Sequence, residues 1–201
     1  MSQIKLKHSG GNSVIIAAPS SNPASDRTLT LPGDADGTIL TSNSSVGKIL
    51  QVIQTVKTDQ FTSTAYAFTD VTGMSVSITP ASASNKILVN FELQVGGSGN
   101  NYASFRLLRD STHIGVSTAT DTNWRVGTLG SLSHENSYQL ENTGTSFLDS
   151  PNTTSAITYK LQVSGYSNRN ISINVPTSTS TASNSYTATG ISTITVMEVA
   201  A

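Results

Sequence analysis

The sequence predicts an all-β protein, with a short N-terminal segment of strand fragments and a larger C-terminal antiparallel domain. Two observations carry this. Apolar residues recur at every second position through most of the chain, with little at the helical period. Short hydroxyl side chains are also dense, 32 Ser and 28 Thr in 201 residues. Together with Asn and Gly, they compete with the backbone for hydrogen bonds and disfavour helices.

From the N-terminus, Ile4 and Leu6 alternate with Lys5 and Lys7, and His8-Ser9-Gly10-Gly11-Asn12 makes a turn. Val14 to Ile16 is apolar, and Pro19, Pro23 and Asp26 then interrupt. Leu29 and Leu31 flank Thr30 before Pro32-Gly33-Asp34 and Asp36-Gly37. Strand fragments this short cannot close a core within one chain, and two-stranded pieces are marginal in water. Several copies wound together would bury the candidate stem positions Ile4, Leu6, Val14, Ile16, Leu29 and Leu31. Ser42 to Gly47 reads as a linker, which places a boundary near residue 46 and divides the chain into 1–46 and 47–201.

The second domain carries the clearer alternation. Ile87, Val89, Phe91, Leu93 and Val95 fall on one face, with Leu88, Asn90, Glu92 and Gln94 on the other. Ile157, Tyr159, Leu161 and Val163 alternate with Thr158, Lys160, Gln162 and Ser164. Met74-Val76-Ile78, Ile171-Ile173-Val175 and Ile194-Val196 repeat the pattern over shorter spans, and 102–109 and 113–117 do so more weakly. Residues 79–85, 96–101, 150–152 and 166–170 are rich in turn formers. Roughly eight to ten short strands at this spacing point to a sandwich, jelly roll or barrel. Residues 176–189 read as a long exposed loop before a closing strand near 191–199.

Global counts exclude several classes. Charged residues are 11% of the chain, against about 25% in ordinary soluble proteins. The 11 Lys+Arg and 12 Asp+Glu give a net charge of −1, which argues against a nucleic-acid footprint and against wholesale disorder. With no cysteine there is no disulfide scaffold or thiolate metal site. No apolar run approaches a membrane span and Met1 to Lys5 lacks a signal-peptide block, so a soluble protein made in the cytoplasm is expected.

Several segments resemble virion fibre-like proteins of tailed phages, notably phages of marine bacteria. The likeness lies in Leu6-Lys7-His8-Ser9-Gly10-Gly11-Asn12, Ile16-Ala17-Ala18-Pro19, the run from Asn22 to Pro32, and Asp36-Gly37-Thr38-Ile39-Leu40-Thr41. It continues in Lys48-Ile49-Leu50-Gln51-Val52, Phe68-Thr69-Asp70-Val71-Thr72-Gly73, Ile78-Thr79-Pro80 and Leu148 to Thr154. The resemblance covers most of residues 4–94 and patches beyond. It implies a homotrimer with a short intertwined N-terminal β stem and an antiparallel β-sandwich head, a jelly roll like the C1q and tumour-necrosis-factor heads. It also implies partnership with capsid or tail proteins in a virion assembled in the host cytoplasm. The residues are compatible with this. A core-less stem asks for symmetric partners, and a three-fold ring is a closed solution.

No enzymatic constellation stands out. The carboxylates Glu92, Asp110, Asp121, Glu135, Glu141 and Asp149 are scattered, whereas a glycosidase needs two facing across one bond. His8, His113 and His134 lack metal-ligand spacing, and His134-Glu135 reads as a solvated loop. Gly10-Gly11 and Gly96-Gly97-Ser98-Gly99 lack the lysine of a phosphate loop and read as turns. No catalytic residue, metal or cofactor is assigned. The candidate ligand contacts are Trp124, Tyr102, Tyr138 and Tyr166, whose rings suit sugars and protein interfaces alike; Trp124 also reads as a core or inter-subunit plug. The expected function is host-surface attachment by a non-enzymatic trimeric fibre, through a glycan or a protein and without membrane insertion. The alternatives are a capsid decoration or cement protein and a small polysaccharide depolymerase.

Overall fold

A computed structural model divides the chain into two units, Met1–Asn43 and Ser44–Ala201. It describes residues 3–7, 9–11, 13–17, 20–21, 48–118, 125–166, 168–178 and 187–201. In the first unit, β1 (Gln3–Lys7) and β2 (Ser13–Ala17) pair antiparallel, with Ile4 opposite Ile16 and Leu6 opposite Val14. Leu6 is exposed. Leu29 and Leu31 lie outside the described residues.

The second unit is all β, in two antiparallel sheets. Its strands are β3 (Ile49–Lys57), β4 (Phe61–Ser63), β5 (Thr69–Ile78), β6 (Lys86–Gly97), β7 (Asn101–Arg109), β8 (Thr112–Ile114), β9 (Leu129–His134), β10 (Glu141–Asp149), β11 (Ile157–Ser164), β12 (Ile171–Ile173) and β13 (Ser192–Val199). In the first sheet β13 lies between β3 and β6, and β10 also pairs with β6. In the second, β11 lies between β5 and β7, and β7 pairs in turn with β8 and β9.

The eight principal strands pair as β3 with β13, β5 with β11, β6 with β10 and β7 with β9. This nesting of first with last is a long hairpin rolled up on itself, the jelly-roll arrangement among the alternatives that alternation left open. The short strands β12 and β4 extend the first sheet.

The core forms where the alternating faces meet. Ile87, Val89, Phe91, Leu93, Val95, Ile194 and Val196 of the first sheet face Met74, Val76, Ile78, Phe105, Leu107, Tyr159, Leu161 and Val163 of the second. Strand β5 carries an irregularity at Gly73, whose φ of +83° suits a residue without Cβ, and the buried Lys57 side chain packs over it. The Lys57 Nζ meets Asp59 at 2.8 Å.

Polar groups inside the domain are held by remote partners. The Asp149 carboxylate takes two hydrogen bonds from Arg109 Nη1, at 2.9 and 2.8 Å, and one from the Tyr159 hydroxyl at 2.7 Å. Burial and that carboxylate push the Tyr159 phenol up, so it stays neutral.

His134 corrects a sequence expectation. It ends β9 and is fully buried, not part of a solvated loop. Its ring occupies the space where a side chain on Gly97 would stand, since a Cβ there would fall 2.4 Å from the ring carbon Cγ. Burial lowers its basicity, partly opposed by Glu141, whose carboxylate stands 3.4 Å from Nδ1.

Candidate functional site

Of the four aromatic candidates, the structure brings two together. Tyr102 on β7 and Tyr166 after β11 meet edge to face, with ring centroids 6.0 Å apart, and both are about half exposed. Tyr138 lies elsewhere, in a depression of about 390 Å³ lined by Gln94, Gln139, Leu140, Thr189 and Gly190. Trp124 lies outside the described residues.

The tyrosine pair is positioned by Asn101, which is fully buried. Its Oδ1 accepts from the backbone N–H of Tyr102 at 2.8 Å and of Tyr166 at 3.2 Å. Its Nδ2 donates to the carbonyls of Asn170 at 2.9 Å and Arg169 at 3.3 Å. One amide therefore ties the start of β7 to the loop that carries Tyr166. Replacing Asn101 by alanine leaves those groups short of partners and is expected to cost about 2–3 kcal/mol. Thermal unfolding should show this as a midpoint lowered by roughly 5–10 °C.

Arg125 and Arg169 bond beside Tyr166, and Arg106 lies further along β7 from Tyr102, a feature that sequence reasoning missed. Arg125 lies over the Tyr66 ring at 4.0 Å, and its Nη1 donates to Ser164 Oγ and the Gly165 carbonyl. Arg106 lies over the Phe68 ring at 3.7 Å and donates from Nε to the Val126 carbonyl at 2.8 Å. Arg169, exposed, donates to the Gly99 carbonyl. Tyr66 is exposed as well. The sequence signal was present in the adjacency of Trp124 and Arg125 and the short spacing from Tyr166 to Arg169.

The outer face of the first sheet is unusual in a different way. The register places Val52, Met197, Leu88 and Leu148 in one row across β3, β13, β6 and β10. Val52 and Leu148 are exposed, and Leu88 and Met197 are half-buried. Exposed Ile49 and Leu50, with half-buried Val199, widen the row into a band. The next row, Gln54, Thr195, Asn90 and Ser146, is polar and internally bonded: Gln54 to Thr195 at 2.8 Å and Asn90 to Ser146 at 2.9 Å. A solvated antiparallel sheet face is ordinarily polar, and the apolar band departs from that pattern.

Among the described residues, the candidate carboxylates do not converge. Asp149 is held by Arg109 and Tyr159, Asp110 accepts from the Thr158 backbone, Glu141 faces His134, and Glu92 lies exposed beside Asn90 and Gly144. His113 bonds Thr128 Oγ1. Asp121 and His8 lie outside the described residues.

No family model and no curated protein matches the chain. Among solved structures it is similar to a mutant VP2 protein of infectious bursal disease virus in derived T=1 particles, at 12% identity and a TM-score of 0.40, over 94% of this chain and 42% of that one. It is also similar to infectious bursal disease virus of the Gx strain, at 11% identity and a TM-score of 0.41, over 94% and 46%. A VP2 subviral particle of the same virus gives 12% identity and a TM-score of 0.40, over 93% and 50%. The chain thus spans about half the length of these proteins or less.

Proposed function

We propose that the chain is a non-enzymatic virion structural protein that forms a homotrimeric, fibre-like appendage and serves in host-surface attachment. The segment 1–46 acts as the anchoring stem, and the jelly-roll domain is the head that presents its loops outward. The observation that carries this reading is the apolar band of Ile49, Leu50, Val52, Leu88, Leu148, Met197 and Val199 on the outer face of the first sheet.

A second copy of the same chain fits that band. The polar row beside it is neutral, so identical faces can meet without facing like charges. Lys86 lies beside Val199 at one end of the face, and Glu92 lies in the row of Thr193 toward the other. The resemblance of the N-terminal segments to phage fibre-like proteins supports the same assembly.

The test is the place of the head on intact particles. An antibody to the head should label a projecting appendage, and deleting residues 1–45 should abolish incorporation into particles. Label spread evenly over the shell would instead make the protein a capsid decoration. Cleavage of host polysaccharide by the purified chain would overturn the non-enzymatic reading.

A further inference from the structure

Among the described residues, Arg106, Arg125 and Arg169 are not spent on internal ion pairs. Arg106, Arg125 and Arg169 all donate to backbone carbonyls, of Val126, Gly165 and Gly99. Among the described residues, no carboxylate comes within ion-pair distance of any of the three. Three other basic side chains of this unit do have carboxylate partners: Lys57 meets Asp59, Arg109 meets Asp149 and Lys160 meets Asp70. Arg125 and Arg169 thus bond to backbone on either side of Tyr166 with no carboxylate partner among the described residues, and Arg106 lies further along β7 in the same state.

The Tyr66 and Phe68 rings lie against the faces of Arg125 and Arg106, contacts that hold a guanidinium flat without cancelling its charge. The positive field is felt nearby, because His113 is made less basic by burial and, after that, by Arg106. Beside the arginines stand the exposed rings of Tyr102 and Tyr166, set by the buried Asn101 amide, and of Tyr66, whose carbonyl accepts from Ser164 Oγ.

We infer that this cluster binds an acid-bearing saccharide, its sugar rings lying on Tyr102 and Tyr166 and its carboxylate meeting the exposed Arg169, with the charge of Arg125 behind it. The inference deepens the attachment reading and rests on it. Tyrosine supplies a flat apolar face with a polar edge, which suits a sugar ring. A guanidinium matches a carboxylate with two parallel hydrogen bonds. A neutral glycan would use the rings and leave the charges idle, and a simple polyanion would use the charges and ignore the rings.

The test titrates the full chain by calorimetry with oligogalacturonate, with its methyl-esterified counterpart, and with polyglutamate as an anion lacking sugar rings. Alginate and polysialate oligomers extend the acidic set. At least one acidic saccharide should bind on the order of tenfold more tightly than both controls. Tyr166→Ala and Arg169→Gln, both at exposed positions, should each weaken that binding by about the same factor at an unchanged unfolding midpoint.

Equal binding of the esterified oligomer, equal binding of polyglutamate, or no binding by any acidic saccharide would each overturn the inference. Adsorption to host cells separates the two levels of the argument. Adsorption of the wild type that survives both substitutions would remove the site assignment and leave the attachment reading standing. A wild type that does not adsorb at all would remove the attachment reading itself.

Discussion

Replacing Glu198 by alanine is expected to cost about 4 kcal/mol of folding stability, among the largest single-residue losses outside the apolar core. Glu198 lies in β13 and is fully buried. Its carboxylate accepts from Gln51 Nε2 at 2.6 Å, Asn85 Nδ2 at 2.6 Å and the Ala81 backbone N–H at 2.7 Å. It therefore fastens the loop after β5 to β3 and β13. Alanine would strand these donors and leave a cavity, and buried donors without partners are what makes such losses large. Denaturant unfolding of the purified variant measures the cost directly.

The same residue predicts a pH dependence. Burial alone would raise the Glu198 carboxyl, but the donors from Asn85, Gln51, Ala81 and Ser82 outweigh it and hold the group below its ordinary value of 4.5. A carboxyl depressed in the folded state contributes stability that is fully present above its unfolded value and is lost as pH falls through its folded value. The gap between wild type and Glu198→Ala should therefore be widest near neutrality and narrow below about pH 4. A gap that stayed constant down to strongly acid pH would contradict the role given to the carboxylate.

Leu88→Glu is expected to have the larger effect on assembly. Leu88 sits inside the apolar row, between Met197 on one neighbour strand and Leu148 on the other. Its side chain points away from the sandwich core, since Ile87 and Val89 on either side are the buried ones. The substitution should therefore spare the jelly roll and change its stability by no more than about 1 kcal/mol. In a trimer it would place one unpaired carboxylate per subunit against an apolar surface, at a cost of several kcal/mol for each. The circular dichroism spectrum should be unchanged while the oligomer dissociates.

How far the sequence foretold this structure depended on where each signal was stored. Strands β6, β11 and β13 place apolar residues at alternate positions, and Ile87 to Val95, Ile157 to Val163, and Ile194 and Val196 form the core as that alternation requires. Strand β10 was not legible. Its first half, Glu141 to Thr145, has no apolar residue, and it is held as strand by register with β6 from Glu141–Val95 to Asp149–Ile87. The buried polar residues were hidden for another reason, because their partners are far apart in the chain. Glu198 and Asn85 are separated by 113 residues, and Asn101 binds a loop more than 60 residues away.

The candidate site was legible in part. Residue type alone singled out Tyr102 and Tyr166, but only the fold shows that they meet and that Arg125 and Arg169 stand with them. The apolar band was hidden in the same way. Leu88, Leu148, Met197 and Val52 lie far apart in sequence and become one row only when β3, β13, β6 and β10 are laid side by side.

Sedimentation equilibrium of the full chain bears most directly on the claim that this jelly roll is built to meet copies of itself. The wild type should sediment with the mass of three chains at micromolar concentration, and Leu88→Glu with that of a single chain. A wild type that sediments as a single chain, or a Leu88→Glu variant that remains a trimer, would contradict it.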